Sequence, residues 1–358
     1  MVSTKKNRNG IGLCIIVFVG IIASATSQSN LDSIQSMHDT WAVQHNKMYK
    51  SADEKAHRFK VFKDNVEFIN KANEKKAGYT LAVNQFADLT GAEFKAMFLS
   101  DVDRATVPPP PPRNPPPPAP RPPPPPPPST CPVKVPSPLP DFVDWQSKGA
   151  VTPVINQKQC GSCWSFAATG ALEGAHKIKT GNLINLSEQS LLDCDIKGIN
   201  NGCNGGLAVY AYEWVKNNGG LTSAAMYPYK GVQGVCNKTL ASAVVTKIIG
   251  FDRVQPNNET ALKIAVARQP ISVSVAAGSS FFQFYKSGIL SNGGCGFSVD
   301  HEVVATGYGT ENGVNYWRMK NTWGPGWGEA GYFRILRGYS DPRGICGVAI
   351  RPSFPIPC

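Results

Sequence analysis

Two cysteines separated by two residues, in Cys160-Gly-Ser-Cys163-Trp164, are the first group in this chain with the types and spacing for chemistry. Such a pair can hold a metal, cycle as a redox dithiol, or set a nucleophile beside a structural cysteine. Zinc would need a second ligand pair at similar spacing, and Cys194, Cys203, Cys236, Cys295 and Cys346 form no further Cys-x-x-Cys. A redox dithiol usually carries its tryptophan before the first cysteine, within a βαβ context. Here Trp164 follows the second cysteine and no βαβ unit is evident. The third reading puts Cys163 on the first turn of a helix that continues through Phe166-Ala-Ala-Thr-Gly-Ala-Leu-Glu173. Helix N-termini favour anions, so a thiolate there has a depressed pKa.

A nucleophile needs a base, and two histidines lie beyond the proline-rich stretch, His176 and His301. His176 sits 13 residues along the same predicted helix, roughly 20 Å from Cys163 at about 1.5 Å per residue. That is out of reach. His301 remains, in Val299-Asp-His-Glu-Val-Val, at the mouth of a predicted strand. Cys–His pairs usually take a third group to orient the imidazole. Asn321, in Lys320-Asn-Thr-Trp-Gly, is the candidate, with Trp323 placed to shield that hydrogen bond from water.

These residues need a scaffold. An apolar helix over 164–179 closes at Gly181, a second starts after Ser187, a third covers 207–216, and a fourth, 259–268, stops at Pro270. Short alternating segments follow at 271–276, 302–307, 314–320 and 331–336. A helical half followed by a β half predicts an α+β domain with two lobes. Upstream, residues 30–100 read as helices with polar faces, then an extended stretch at 79–88. No internal repeat is evident.

The 358 residues are 42% hydrophobic and 17% charged, enough apolar material for a core and too little charge for general disorder. Proline is the anomaly, with 21 of its 30 copies between Pro108 and Pro140. The stretch 108–128 cannot join a helix or sheet, and predicts a stiff rod of roughly 65 Å at about 3.1 Å per residue. The net charge of +11 is spread out, with 19 Lys+Arg against 14 Asp+Glu over 139–358. No dense basic run interleaves with aromatics, so the charge reads as a solvated surface rather than a nucleic-acid interface.

Lys5, Lys6 and Arg8 precede an apolar run over 11–23 and the small-x-small site Ala23-Ser24-Ala25. That is the layout of a secretory signal peptide, with a signal anchor as the alternative. The apolar run is short for a membrane span, which needs about 20 residues, and no other segment is apolar enough. Export permits disulfides.

Gln157…Cys160-Gly-Ser-Cys163-Trp164, Asp300-His301 and Asn321-Thr-Trp-Gly resemble, in this order, the three signature blocks of papain-like cysteine peptidases. The resemblance runs from about Leu139 to Pro357 and takes in Asn201-Gly-Cys-Asn-Gly-Gly206, similar to the family's substrate-binding turn. Glu54, Arg58, Phe62, Asn65, Ile69 and Asn73 resemble the inhibitory prosegment motif of the cathepsin L-like branch. Ala82-x-Asn84-x-Phe86-x-Asp88 is similar to its companion, with Ala where that pattern has Gly. The methyl group costs little if φ is negative there.

The resemblance implies a papain-like fold, with a helical left lobe, a β-barrel-like right lobe and an α-helical inhibitory prodomain. It divides the chain into a signal peptide (1–25), prodomain (26–106), proline-rich linker (107–138) and peptidase domain (139–358). The implied product is a cysteine endopeptidase made as an inactive zymogen. Cys163 attacks the peptide carbonyl, His301 holds the pair as imidazolium and protonates the leaving amine, and Asn321 orients His301. Gln157 and the Cys163 N–H donate to the oxyanion, where one lost donor typically costs about 10²–10³ in rate. Water then hydrolyses the acyl-enzyme; transpeptidation by the same intermediate stays open. Gly205 and Gly206 bond an extended substrate, and Leu207, Ala208, Ser274, Val299, Glu302 and Arg351 line S2.

Leu207 and Val299 suit an apolar P2 side chain. Glu302 and Arg351 are charged where many relatives are small or neutral, and either pair across the pocket and shorten it or point to solvent. Implied disulfides are Cys160–Cys203, Cys194–Cys236 and Cys295–Cys346. Cys14 leaves with the signal peptide, which strands Cys131 and Cys358 as a tether or as two separate thiols. Residues 30–100 are expected to cover the cleft, with 79–88 approaching it and removal near Pro138-Leu139. Acid would loosen the complex by neutralising carboxylates such as Asp88, if they are paired.

No metal or organic cofactor is implied. Expected partners are protein and peptide substrates, the prodomain itself and cystatin-like inhibitors, with the enzyme a monomer. The rod is a spacer or a ligand for a proline-recognising partner. Sequons at Asn185, Asn237 and Asn258 allow N-glycosylation. No Lys-Asp-Glu-Leu tail is seen, so the secretory pathway is expected to end in a lysosome or vacuole, or outside the cell. A non-catalytic binding protein and a thiol–disulfide oxidoreductase are the rival classes. The complete set Gln157, Cys163, His301 and Asn321 argues against the first, and a bridged Cys160 would exclude the second.

Overall fold

The computed structural model describes residues 31–100, 137–291 and 294–357. The predicted signal peptide, residues 107–136 of the proline-rich segment, Cys14, Cys131 and Cys358 lie outside the described residues. No helix among the described residues is long and apolar enough to cross a membrane.

The N-terminal part is built on helix α1, over residues 31–44, and helix α2 (Ala52–Asn73). Ser51 caps α2 by accepting the Glu54 N–H, and Asp53 and Glu54 in the first turn suit the helix dipole. Three- and four-residue spacing puts Glu54, Arg58, Phe62, Asn65, Ile69 and Asn73 along one face. Phe62 and Ile69 are buried in the core formed with Trp41 and Val66. The polar members hold the chain that follows. Arg58 Nη1 donates to Asp88 O at 3.0 Å, Asn65 Nδ2 donates to the carbonyls of Ala87 and Leu89, and Asn73 exchanges two hydrogen bonds with Leu81.

The segment 79–88 is therefore extended only through the short strand β1 (Tyr79–Leu81), a correction to the extended run expected there. Beyond it the chain coils into turns, because side chains of α2 take up its carbonyls. Ala82 lies outside the left-handed region, so its methyl group needs no glycine there. Helix α3 (Gly91–Phe98) opens on a Thr90–Glu93 capping box.

The left lobe follows β2 (Val143–Asp144) and consists of α4 (Cys163–Thr180), α5 (Glu188–Cys194), α6 (Ala208–Asn217) and α7 (Lys238–Ala241), with the ribbon β3 (Leu221–Thr222) and β4 (Val244–Thr246). The right lobe comprises β5 (Ile248–Arg253), α8 (Glu259–Val266), β6 (Ile271–Val275), α9 (Ser280–Gln283), β7 (Tyr285–Leu290), β8 (His301–Glu311), β9 (Val314–Lys320), β10 (Tyr332–Leu336) and β11 (Ser353–Pro357). The main sheet runs β1-β7-β10-β9-β8-β6-β11-β5, with β2 on β8. Strand β1 pairs antiparallel with β7, so the N-terminal part adds an edge strand to the sheet of the right lobe.

Helix α4 is the central post, buried from Cys163 to Ala175 and rich in small residues. A Cβ on Gly170 would lie 2.9 Å from Val304 of β8, which is why the helix can approach the sheet so closely. Strand β8 runs past the predicted 302–307 to Glu311, because Gly307 and Gly309 do not break it. A Cβ at Gly307 would meet the Val143 carbonyl at 2.1 Å, so glycine lets β2 lie against β8. Asn312 and Gly313, both at positive φ, turn β8 into β9. The left-lobe core centres on Trp164, Leu172, Leu191, Leu192 and Tyr212. The right-lobe core is continuous with that of the N-terminal part through Phe86, Phe94 and Phe98 around Trp323.

Candidate active site

Cys163 is the first residue of α4 and is buried. The loop before it is pinned to the glycine-rich turn by the Cys160–Cys203 disulfide and by Gly161 N–H donating to Cys203 O at 2.9 Å. A bridged Cys160 leaves no redox dithiol with Cys163. The other bridges are Cys194–Cys236 in the left lobe and Cys295–Cys346 in the right. His176 lies on α4 as well, and its Nδ1 bonds Thr246 Oγ1 at 2.9 Å.

His301 opens β8, and the backbone N–H of the next residue, Glu302, faces the Cys163 sulfur. His301 Nε2 lies 2.8 Å from Asn321 Oδ1, which also accepts the Thr322 N–H at 2.8 Å. An amide oxygen in that position accepts, so the imidazole donates from Nε2 and keeps the lone pair on Nδ1. Trp323 stacks on the ring at 4.7 Å, and His301 and Asn321 are both buried. Gln157 is held with Oε1 accepting the Thr322 hydroxyl, while Nε2 donates to Cys160 O at 2.8 Å and to Phe98 O at 3.0 Å. Thr322 thus supports both Asn321 and Gln157. Sequence reasoning did not pick it out; its place beside Asn321 was the available signal.

The residues lying over the cleft are 98–100, the end of α3 and the two that follow it, while 79–88 approaches beside them. Ser100 N–H donates to Asp300 O at 2.9 Å, and Ser100 Oγ lies 3.5 Å from Cys163 Sγ. A Cβ at Gly205 would meet Ser100 Cβ at 2.7 Å, so the same residue lies against the glycine-rich turn. Segment 84–86 docks beside this on Trp323 and Gln283: Asn84 Nδ2 donates to Gln283 O at 2.7 Å, and Gln85 Nε2 to Trp323 O at 2.9 Å. Asp88 is paired, with Lys47 at 2.7 Å and Tyr49 OH at 3.3 Å, both within the N-terminal part.

This cover changes the electrostatics. Burial pushes the Cys163 thiol up to about 12, against the Ser100 hydroxyl and the N–H groups of Glu302 and Trp164, and with the Glu302 charge adding to the rise. That reverses the depressed value expected at a helix start, because desolvation outweighs the helix N–H groups while the cleft is covered. Burial likewise lowers His301 to about 4, opposed by the Asn321 bond. In the covered state the pair is neutral.

Of the S2 candidates, Leu207 and Ala208 lie where the glycine-rich turn enters α6, Ser274 on β6, Glu302 on β8, and Val299 just before Asp300. Glu302 is buried, with Oε2 accepting Ala208 N–H at 2.7 Å and Oε1 accepting the Ser274 hydroxyl at 3.1 Å, so it does not point to solvent. Burial raises it to about 7, and the nearby positive charge of Arg351 acts against that rise. Leu207, Glu302 and Arg351 share the lining of a cavity of about 60 Å³ with Val209 and Ile350.

Residues 139–356 match the papain family cysteine protease model, and residues 38–94 match the cathepsin propeptide inhibitor domain. The chain is 43% identical to cysteine proteinase RD21A of Arabidopsis thaliana over 335 residues, covering 93% of this chain and 69% of that protein. It is 42% identical to the senescence-specific cysteine protease SAG39 of Oryza sativa subsp. japonica, over 96% of each. Among solved structures it resembles the proform of the ragweed pollen cysteine protease Amb a 11, with a TM-score of 0.78, 38% identity, and coverage of 91% of this chain and 95% of that one. A stem bromelain precursor aligns with a TM-score of 0.77 at 40% identity, covering 90% of this chain and 98% of that one. The chain therefore belongs to the papain family of cysteine proteases, carries a cathepsin-type inhibitory propeptide, and has Cys163 as its catalytic cysteine.

Proposed function

We propose that the protein is a secretory-route endopeptidase zymogen working through Cys163, His301 and Asn321, with Gln157 as an oxyanion donor. The observation that carries this reading is the convergence on residues 98–100. Phe98 O takes the Gln157 amide, Ser100 Oγ meets the Cys163 sulfur, and Ser100 N–H binds the carbonyl next to His301. One three-residue segment thus occupies the nucleophile, the oxyanion donor and the histidine strand together.

With the prosegment gone, water reaches the pair and restores the solvation that charged forms need. Cys163 then transfers its proton to the free Nδ1 of His301 and attacks the peptide carbonyl. The oxyanion forms within reach of Gln157 Nε2 and the Cys163 N–H, and His301 returns the proton to the departing amine. Water attacks the thioester in the second half. Gly205 and Gly206 bind the extended substrate; φ of 114° at Gly205 is a conformation that glycine adopts freely. Leu207, Ala208, Ser274, Val299, Glu302 and Arg351 form S2, with Glu302 and Arg351 as the charged pair that shortens it.

The remaining parts take the bounds 1–25 for the signal, 26–106 for the prodomain, 107–138 for the linker and 139–358 for the enzyme. Cleavage near Pro138-Leu139 releases a monomer, sensitive to cystatin-like inhibitors, in a lysosome, vacuole or the extracellular space. Asn185 and Asn237 are exposed and Asn258 is half-buried. Asn237 and Asn258 cap α7 and α8 through Oδ1, the oxygen that a glycan on Nδ2 leaves in place.

The test is to activate the zymogen in acid and titrate hydrolysis of a fluorogenic Phe-Arg amide with an epoxide thiol reagent. Stoichiometric loss, with the adduct on Cys163, is the expected result. Absence of activity after verified removal of the prosegment would refute this reading.

A further inference from the structure

Glu302 holds a position that the peptide-cleaving steps do not use. It follows His301 on β8, and its carboxylate is buried among three other elements. Oε2 accepts the N–H of Ala208, first residue of the ten-residue helix α6 in the left lobe. Oε1 accepts the hydroxyl of Ser274 on β6 in the right lobe, directly opposite in the ladder. Arg351, before β11, brings a positive charge near. The Cys163 thiol on α4 and Tyr212 on α6 also feel its charge. One carboxylate thus spans the boundary between lobes, and joins the S2 wall to the strand that carries the histidine.

The wall answers as a unit. Leu207 N–H donates to Asn200 Oδ1 at 2.7 Å, and Asn200 Nδ2 donates to Asp195 Oδ2 at 2.6 Å. A Cβ at Gly206 would meet Asn200 Oδ1 at 2.3 Å, so the turn lies directly on that amide. The left lobe fixes the wall at Leu207, and Glu302 fixes the next N–H from across the cleft.

We propose that Glu302 is a positioning residue, an interlobe clasp that holds the S2 wall at its working distance from His301 so that the P2 side chain is bound in register with attack on the scissile carbonyl. The inference rests on the reading of the site given above. A helix-start N–H binds a carboxylate more strongly than a carboxylic acid. The clasp is therefore tight when Glu302 is ionised and slack when it is protonated, and burial places that change near neutral pH.

The experiment uses activated enzyme with its sites counted by epoxide titration, and amides with a P2 residue (Phe-Arg) and without one (Arg). Glu302→Gln keeps the shape and loses the charge. Ala208→Pro replaces the N–H by a ring carbon that also displaces the Glu302 carboxylate 2.7 Å away; proline suits the first residue of a helix, and Leu207 already has the extended φ of −132° and ψ of 137° that a following proline requires. In each variant kcat/KM should fall about tenfold more for Phe-Arg than for Arg, mainly through KM. The Phe-Arg to Arg ratio should rise with pH through neutrality in the wild type and stay flat in both variants, and combining the substitutions should add little.

Wild-type ratios in both variants would overturn the proposal. Equal losses on both substrates would overturn it too, since Glu302 would then act on the Cys–His pair. Ser274→Ala, which removes one bond and leaves the carboxylate, should lower the ratio about threefold and decides the matter if the other variants do not fold. Failure of the wild type itself to titrate would refute the peptidase reading instead.

Discussion

Cys163 and His301 show how one pair of residues can carry two electrostatic states. At the start of α4 the helix N–H groups favour a thiolate, yet under the prosegment both side chains are buried and both are driven to their neutral forms. A charge stripped of water loses more than these few dipoles return. Iodoacetamide should therefore alkylate Cys163 at least about 100-fold faster at pH 6 in the processed enzyme than in the zymogen. The zymogen rate should still be climbing above pH 10, near the raised thiol value, whereas the processed enzyme should be flat from acid to neutral pH. Superimposable profiles would show that the prosegment does not control the thiol. Cys163, His301, Asn321 and Gln157 were readable as candidates because few residue types can do the proposed chemistry. Thr322 was not, since its role depends on hydroxyl contact with a glutamine 165 positions away.

Elements place these groups, and their ends were easier to read than their contacts. Gly181 at φ 79° ends α4 and Ser187 caps α5, both where the sequence predicted a stop or start. Strand β8 was underestimated because Gly307 and Gly309 look like breakers in isolation; in the fold they are close approaches to β2 and Tyr316. The glycine-rich turn has the same logic. A Cβ at Gly206 would lie 2.3 Å from Asn200 Oδ1 and 2.9 Å from the Trp164 ring. Gly206→Ala should destabilise the mature enzyme by about 1–3 kcal/mol and raise KM for extended substrates. Denaturant unfolding and peptide kinetics check this, and an unchanged KM with normal stability would mean that the turn relaxes freely.

At the scale of the whole molecule, the buried histidines of the inhibitor and the buried carboxylates of the enzyme respond to acid in opposite directions. In the N-terminal part burial lowers the pKa of His38 and His45. Folded, these residues bind fewer protons than unfolded, so their contribution is complete above the ordinary histidine value, about 6.5, and is lost as pH falls below it. His38 is fully enclosed by Trp41, Tyr49, Phe59 and Phe62, with Asp39, Lys55 and Asp88 as the charges acting on it. In the enzyme part, burial raises Asp195 and Glu302 to about 7 and Glu188 to about 8. These groups favour the fold most below the ordinary carboxylate values, and that contribution is lost as pH rises through the raised ones. Acid thus acts against the inhibitor through His38 and His45 and favours the enzyme through these three carboxylates, while His176 and His301, also lowered by burial, oppose that gain. His38→Phe, which keeps an aromatic ring there, should move autoactivation at least about half a pH unit lower. The pH of half-maximal processing measures it, and no shift would assign acid release to other groups, such as the Asp88–Lys47 pair.

The sequence by itself determined the candidate chemistry, the four longer helices and four of the strands of the enzyme part, and the division into inhibitor and two-lobed enzyme, but not β5, β7 or β11 of the main sheet. Catalysis restricts residue types, and helix caps and apolar periodicity are local. Only the tertiary structure decided that Ser100, not the 79–88 stretch, meets Cys163 from 63 residues away, and that Glu302 reaches back 94 residues to Ala208 rather than turning to solvent. Both depend on burial and on contacts between distant segments. Desolvation, which sets the charge of Cys163, His301 and Glu302, exists only once those segments have packed.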